Sequence, residues 1–209
     1  MTRNSQIFGF VQAGGISSRF GSDKALSVLG GQTLLARTTN LVQSVSGNVR
    51  IVAAKGKYKQ APAKIVADRW PGEGPLGGIL TALGEVSANV GEQSAWALMV
   101  GCDMPFLTEK WLAYLCERAR SSDAQVVFAE SQFGWEPLCA CWNTSALPEL
   151  QNAFDGGVRK VTEGMRRIRR EVLDETQWKR FDTEGRLFWN MNTPEEFAEA
   201  QRIFENETR

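Results

Sequence analysis

The stretch Ile7-Phe8-Gly9-Phe10-Val11-Gln12-Ala13-Gly14-Gly15-Ile16-Ser17-Ser18-Arg19-Phe20-Gly21-Ser22-Asp23-Lys24 decides how the rest of the chain is read. Residues 7–11 form an apolar run with the length of a buried strand, and glycines follow at once. In an open α/β sheet the ends of parallel strands are where ligand crevices lie, so this loop falls at a favoured position. Gly14, Gly15 and Gly21 can take positive φ and let the backbone approach a ligand closely. Ser17, Ser18, Arg19 and Lys24 add hydroxyl and cationic donors, a combination suited to phosphate. A solvated Gly/Ser connection with two basic residues fits the same composition equally well. The loop is not a Walker phosphate loop, which ends in Gly-Lys-Ser or Gly-Lys-Thr, because Gly21 is followed here by Ser22-Asp23-Lys24.

Around this stretch, 209 residues with 43% hydrophobic content are enough for one sizeable core, and a single domain over residues 1–209 is expected. Lys plus Arg and Asp plus Glu number 24 each. Such a balance creates no global field toward nucleic acid or an anionic membrane, so neither is an expected partner and a small molecule is. The first residues lack the apolar core of a signal peptide and no window approaches a membrane span, which predicts a cytoplasmic protein. Cys102, Cys116, Cys139 and Cys141 contain no Cys-x-x-Cys pair, and there is no histidine, so a zinc site is not expected and reduced, buried thiols are. The missing histidines also exclude His-based triads and His general bases. Catalysis in this chain falls to carboxylates, cations and a metal ion.

Further along, Val28-Leu29-Gly30-Gly31 predicts a turn, and residues 33–45 carry apolar positions at helical spacing. Residues 49–53 and 64–67 read as strands, the second leading to Asp68. Gly72, Gly74 and Gly77 satisfy the pattern Gly-x-Gly-x-x-Gly, but several residues separate it from the preceding strand and Pro75 sits inside it, so it is not read as a dinucleotide fingerprint. Pro75 suits a first helical position, with a helix over residues 76–87 whose free amides could face an anion.

Residues 96–100 form a strongly apolar strand that delivers Gly101-Cys102-Asp103-Met104-Pro105. An isolated carboxylate at a buried strand end is costly, so Asp103 must be protonated, hydrogen-bonded or paired with a cation. Mg²⁺ is an economical partner, since it accepts one or two carboxylates and completes its shell with water and substrate phosphate. Thr108 then reads as the N-cap of a helix through residue 120.

In the second half, residues 124–129 and 136–142 read as strands, with residues 131–135 between them as a flap over the site. Cys139 and Cys141 would then share one sheet face. Residues 159–170 carry six basic side chains against Glu163, read as a solvated face or as a landing surface for a substrate phosphate that includes Arg167 and Arg169. Thr193, Pro194 and Glu196 compose a capping box ahead of an amphipathic helix to about residue 206.

The pattern Ala-Gly-Gly-x-Ser-x-Arg-x-Gly-x-Asp-Lys-Ala-Leu over residues 13–26 resembles the signature loop of the molybdenum cofactor guanylyltransferases. Gly74-Pro75-Leu76-Gly77-Gly78 resembles their Gly-Pro-Leu-x-Gly motif, Cys102-Asp103-Met104-Pro105 their Cys-Asp-x-Pro segment, and Asn190-Met191-Asn192-Thr193-Pro194 their Asn-x-Asn-Thr-Pro segment. Three positions depart from the family pattern: Gln12 stands where leucine is usual, Ala54 where a nucleotide-contacting asparagine is found, and Glu136-Pro137 where relatives carry His-Pro or Gln-Pro. The resemblance implies a three-layer, mostly parallel, Rossmann-like α/β nucleotidyltransferase of the nucleotide-diphospho-sugar transferase type. It implies transfer of GMP from GTP to molybdenum-molybdopterin with Mg²⁺ as cofactor. Lys24, helped by Arg19, would offset phosphate charge, and Asp103 would hold the metal with Asn190 and Asn192 nearby. Nucleotide contacts are implied for Gln12, Ala13, Gly14, Gly15, Lys24, Asp68 and Asp103. Transient contact with molybdoenzymes or cofactor-insertion proteins is a further implied partnership. The alternatives are a cytidylyltransferase for the same pterin, a nucleotidyltransferase acting on another phosphorylated metabolite, and a non-catalytic nucleotide-binding adaptor in cofactor delivery.

Overall fold

A computed structural model describes residues 6–14, 23–182 and 184–207. Its elements follow the periodicities of the sequence. In chain order they are β1 (Ile7–Gln12), a small hairpin of β2 (Val28–Leu29) and β3 (Gln32–Thr33), α1 (Leu34–Ser46), β4 (Val49–Ala53), β5 (Lys64–Ala67), α2 (Pro75–Val90), β6 (Trp96–Gly101) and α3 (Glu109–Ser121). The second half adds β7 (Val126–Ser131), β8 (Gly134–Asn143), α4 (Leu147–Asp155), α5 (Val161–Met165), β9 (Arg170–Leu173), α6 (Glu175–Trp178) and α7 (Pro194–Glu207).

Local chemistry fixes the boundaries. Thr33 caps α1 by accepting from Ala36 N at 3.1 Å, and Thr108 caps α3 by accepting from Trp111 N at 3.2 Å. Thr193 and Glu196 exchange hydrogen bonds at 2.9 and 3.2 Å, the capping box that opens α7. Helix α2 starts at Pro75 as read from the sequence but continues three residues beyond Ser87, ending where Gly91 takes a φ of 64°.

Seven strands pair in the order β5-β4-β1-β6-β8-β7-β9. All share one direction except β8, which is antiparallel to both β6 and β7. The expected mostly parallel, three-layer α/β fold is therefore the one adopted. Alternation along β1 sends Ile7, Val11 and Ala13 into the core shared with α1 and α3, and Phe8 and Phe10 into the core under α2. Burying both sheet faces explains why the central strands read as continuous apolar runs. Cys139 and Cys141 lie on one face as expected, and all four cysteines are buried and free. Among the described residues, no helix is long and apolar enough to cross a membrane.

One expectation is corrected. Residues 131–135 are not a free loop between strands: Ser131 pairs with Gly134 and Glu130 with Trp135, so only Gln132 and Phe133 turn the chain. A register shift between Phe128 and Glu130 breaks the simple alternation there, which hides the pairing from a period-two reading.

Candidate active site

Strands β4, β1 and β6 are neighbours, and their carboxyl ends deliver the residues singled out from the sequence to one edge of the sheet. Ala13 N donates to Val52 O at 3.0 Å, which carries the chain past the end of β1, and Gly14 follows with a φ of 149°, a conformation open to glycine. Gly15 and Arg19 lie outside the described residues. The chain is described again at Asp23, whose carboxylate accepts from Ala25 N at 3.2 Å, Lys57 Nζ at 3.1 Å and Tyr58 Oη at 2.9 and 3.0 Å. This ties the exit of the glycine loop to the β4–β5 connection. Burial and the Asp23 carboxylate push the Tyr58 hydroxyl well above the ordinary tyrosine range, so it stays a donor.

Lys24 comes next. Its Nζ stands 3.3 Å from Asp103 Oδ2 and donates to the Met191 carbonyl, while Met191 N donates to Asp103 O at 2.9 Å. With side chains 13% and 27% exposed, the Lys24–Asp103 pair is sheltered yet reachable. Asp103 Oδ1 folds back over Gly101, where an added Cβ would lie 2.7 Å from it. The segment between the two asparagines thus reaches the site through the backbone of Met191. Asn190 is half-buried and Asn192 exposed.

Two neighbours complete the electrostatics. Burial and Asp103 push the Cys102 thiol up to about 12, so it is neutral and is no nucleophile. Glu136 is 5% exposed and accepts from Ser131 Oγ at 2.5 Å. Burial pushes its carboxyl up to about 7, with Asp103 adding to the effect.

A cavity of about 460 Å³ opens over the ends of β1 and β4, one strand along from the Lys24–Asp103 pair. Gln12, Ala13, Gly14, Ala54 and Asp68 line it, with Pro75 and the turn before α2 closing one side. Asp68 Oδ1 accepts from Trp70 N at 3.0 Å and Thr81 Oγ1 at 3.3 Å, so one oxygen serves the turn that follows β5. Gly77 packs under Trp70 within α2, and Gly72 and Gly74 shape the preceding turn, as the rejection of the dinucleotide pattern requires.

The structure therefore gathers Gln12, Ala13, Gly14 and Asp68 at the cavity and Lys24 with Asp103 beside it. The basic stretch divides: Arg159 reaches the turn that closes the cavity, and Arg166 and Arg170 set their guanidinium groups over the Trp135 ring. Arg159 pairs with Glu73 at 2.6 Å, while Arg169 and Arg170 stand at the start of β9, where Arg170 pairs with Val126, the strand-start edge of the sheet. Sequence reasoning missed Met191, Tyr58, Thr81 and the burial of Glu136. Met191 acts through groups that every residue carries, so no residue-type signal marks it. Among the described residues no cluster of three or more metal-binding side chains occurs. A metal at this edge would rest on the hard oxygen of Asp103 and on substrate oxygens, a donor set that suits Mg²⁺.

Comparison with known proteins agrees with this arrangement. A protein of Chloroflexus aggregans named "probable molybdenum cofactor guanylyltransferase" is 31% identical over 206 residues, 96% of each chain. The solved structure of molybdopterin-guanine dinucleotide biosynthesis protein A from Archaeoglobus fulgidus superposes with a TM-score of 0.80 at 24% identity, covering 95% of this chain and 98% of that one. A Mycobacterium tuberculosis protein solved in complex with manganese has the same fold, with a TM-score of 0.64 at 15% identity over 95% of this chain and 99% of its own. Residues 9–175 match the MobA-like NTP transferase domain, from the middle of β1 to the first residue of α6, and the chain belongs to that nucleotidyltransferase family.

Proposed function

We propose that the protein transfers GMP from GTP to the terminal phosphate of molybdenum-molybdopterin, forming the guanine dinucleotide of the cofactor and releasing pyrophosphate. The observation that carries this reading is the sheltered Lys24–Asp103 pair at the end of β6, set beside a nucleoside-sized cavity at the ends of β1 and β4. Gly14, with Gly15 after it, lets the backbone approach the nucleotide. Asp68 turns its second oxygen toward a ribose hydroxyl, since Oδ1 is committed to Trp70 and Thr81. Lys24, with Arg19 as helper, neutralises charge that grows on the phosphates during transfer. Asp103 would hold Mg²⁺, which when bound polarises the α-phosphate.

No protein nucleophile is needed. The attacking group is a phosphate oxygen of the acceptor, ionised near neutral pH, so positioning and charge neutralisation carry the rate. The buried, protonated Cys102 thiol agrees with that division of labour. The product is a finished cofactor, and its handover calls for contact with a molybdoenzyme or an insertion protein.

The test combines purified protein, GTP, Mg²⁺ and molybdenum-molybdopterin, with pyrophosphate release as the readout. Lys24→Ala and Asp103→Ala should each lower kcat by about a hundredfold or more. Near wild-type rates in both would remove the site assignment. Turnover of CTP in preference to GTP would select the cytidylyltransferase, and GTP binding without turnover would select the adaptor.

A further inference from the structure

We propose, resting on the transfer reading above, that Tyr58 is a positioning residue: from a left-handed backbone its hydroxyl holds the Asp23 carboxylate and so fixes the turn that aims Lys24 at Asp103. Tyr58 has a φ of 53°, and among the described residues no other side-chain-bearing residue has a positive φ. Left-handed backbone crowds a Cβ, so glycine or asparagine would stand there with less strain. A bulky residue kept in such a conformation points to a task that its side chain performs. The ring packs against the core shared with α1 and α3, and the hydroxyl reaches Asp23 Oδ1 and Oδ2 at 3.0 and 2.9 Å. Packing alone does not call for a hydroxyl, since phenylalanine would fill the same space.

The target of that hydroxyl stands next to Lys24. Asp23 caps the short 3-10 helix Lys24–Leu26, accepting from Ala25 N at 3.2 Å, and Ala25 is buried. Lys57 Nζ meets the same carboxylate at 3.1 Å. Side chains of consecutive residues diverge in a strand or a helix, and the left-handed step at Tyr58 is where residues 57 and 58 come to share one carboxylate. The segment that carries them is itself pinned, with Lys57 N donating to Ala54 O at 3.1 Å and Ala61 N to Tyr58 O at 2.9 Å. Lys57 is 43% exposed, and so exposed an ion pair holds position weakly. Tyr58 is half-buried, and its contact is the firmer of the two.

Two consequences reach the reacting groups. The far end of Lys24 is fixed by Asp103 at 3.3 Å and by the Met191 carbonyl. The Tyr58–Asp23 contact fixes the near end, at the backbone from which the side chain springs. A cation that must meet a phosphate in one geometry needs both ends held. The second consequence is charge. A bare Asp23 carboxylate one residue from Lys24 would repel the phosphates that Lys24 draws in, and the hydroxyl together with Lys57 engages both its oxygens.

Tyr58→Phe removes the hydroxyl and keeps the ring. With pyrophosphate release as the readout, kcat should fall about tenfold while KM for GTP stays within about threefold, because the loss lies in placing Lys24 and not in the nucleotide cavity. Asp23→Ala should lose at least as much, and adding Tyr58→Phe to it should change kcat by less than about twofold, since the contact is already gone. A tyrosine that only supports the fold would lower kcat by the same factor in both backgrounds. Competitive acetylation of the folded proteins with acetic anhydride, read peptide by peptide by mass spectrometry, follows the amine without turnover. Labelling of Lys24 relative to the exposed Lys110 should rise about threefold or more in Tyr58→Phe. Tyr58→Met serves in both measurements if Tyr58→Phe fails to fold. An unchanged kcat, an equal loss in the two backgrounds or unchanged Lys24 labelling overturns the proposal. Raised labelling with no pyrophosphate release from the unsubstituted protein would sink the transfer reading and leave the hold of Tyr58 on Lys24 standing. Release together with unchanged labelling would do the opposite, and neither release nor raised labelling would sink both.

Discussion

Replacing Glu136 by glutamine should change how stability depends on pH. The side chain is 5% exposed on β8, and its carboxyl is held at about 7 against an ordinary 4.5, chiefly by burial. Below 4.5 the folded and unfolded chains both carry the proton and pH has no leverage through this group. As pH rises from 4.5 the unfolded chain ionises while the folded one holds its proton, so the folded state loses ground until it too ionises near 7. The full penalty above 7 is about 3 kcal/mol, of which about 2.5 kcal/mol accrues between pH 5 and pH 8. Glu136→Gln keeps a neutral partner for Ser131 and removes the titration. Urea unfolding of both proteins at pH 5 and pH 8, without nucleotide or divalent cation, should show the variant gaining about 2.5 kcal/mol on the parent across that interval. Other carboxylates cancel in the difference. An equal offset at the two pH values would mean that Glu136 ionises in the ordinary range, and the burial argument would fall.

Gly101→Ala would place a Cβ 2.7 Å from Asp103 Oδ1 and 3.5 Å from Leu138 Cβ, displacing the carboxylate. Steady-state kinetics should show kcat down about tenfold or more with the fold intact by circular dichroism, and full activity would contradict the assigned role of Asp103. Thr193→Ala removes one half of the α7 capping box and should cost about 1 kcal/mol, read as a fall in Tm of about 2–4 °C. An unchanged Tm would show that the box adds nothing to the packing of α7.

The strands at residues 49–53 and 64–67 were legible to the residue because each is an apolar run bounded by polar turns, and β1 was legible to within one. The hairpin between β7 and β8 was not, because Gly134 and Trp135 carry turn-like and bulky character in what proves to be paired backbone. In the site, Asp103 and Asp68 stood out as carboxylates following strand-like runs, and Lys24 stood out through its motif. The burial of Glu136 depends on β8 being inserted antiparallel between β6 and β7, a long-range pairing that residue spacing does not encode. Gln12 was visible as a departure, but the room its amide takes above Gly78 shows only in the packing of β1 against α2.

The Met191 backbone gives this protein an order of assembly. Lys24 is 79 residues from Asp103 and 167 from Met191, so the centre closes two long loops, and long-range contacts are the slow ones to form. During synthesis the strands that carry the glycine loop and Asp103 exist well before the segment that holds Lys24 in place. Competence for chemistry therefore waits on the docking of α7 and the turn before it, since until Met191 arrives Lys24 lacks the carbonyl that helps hold it beside Asp103.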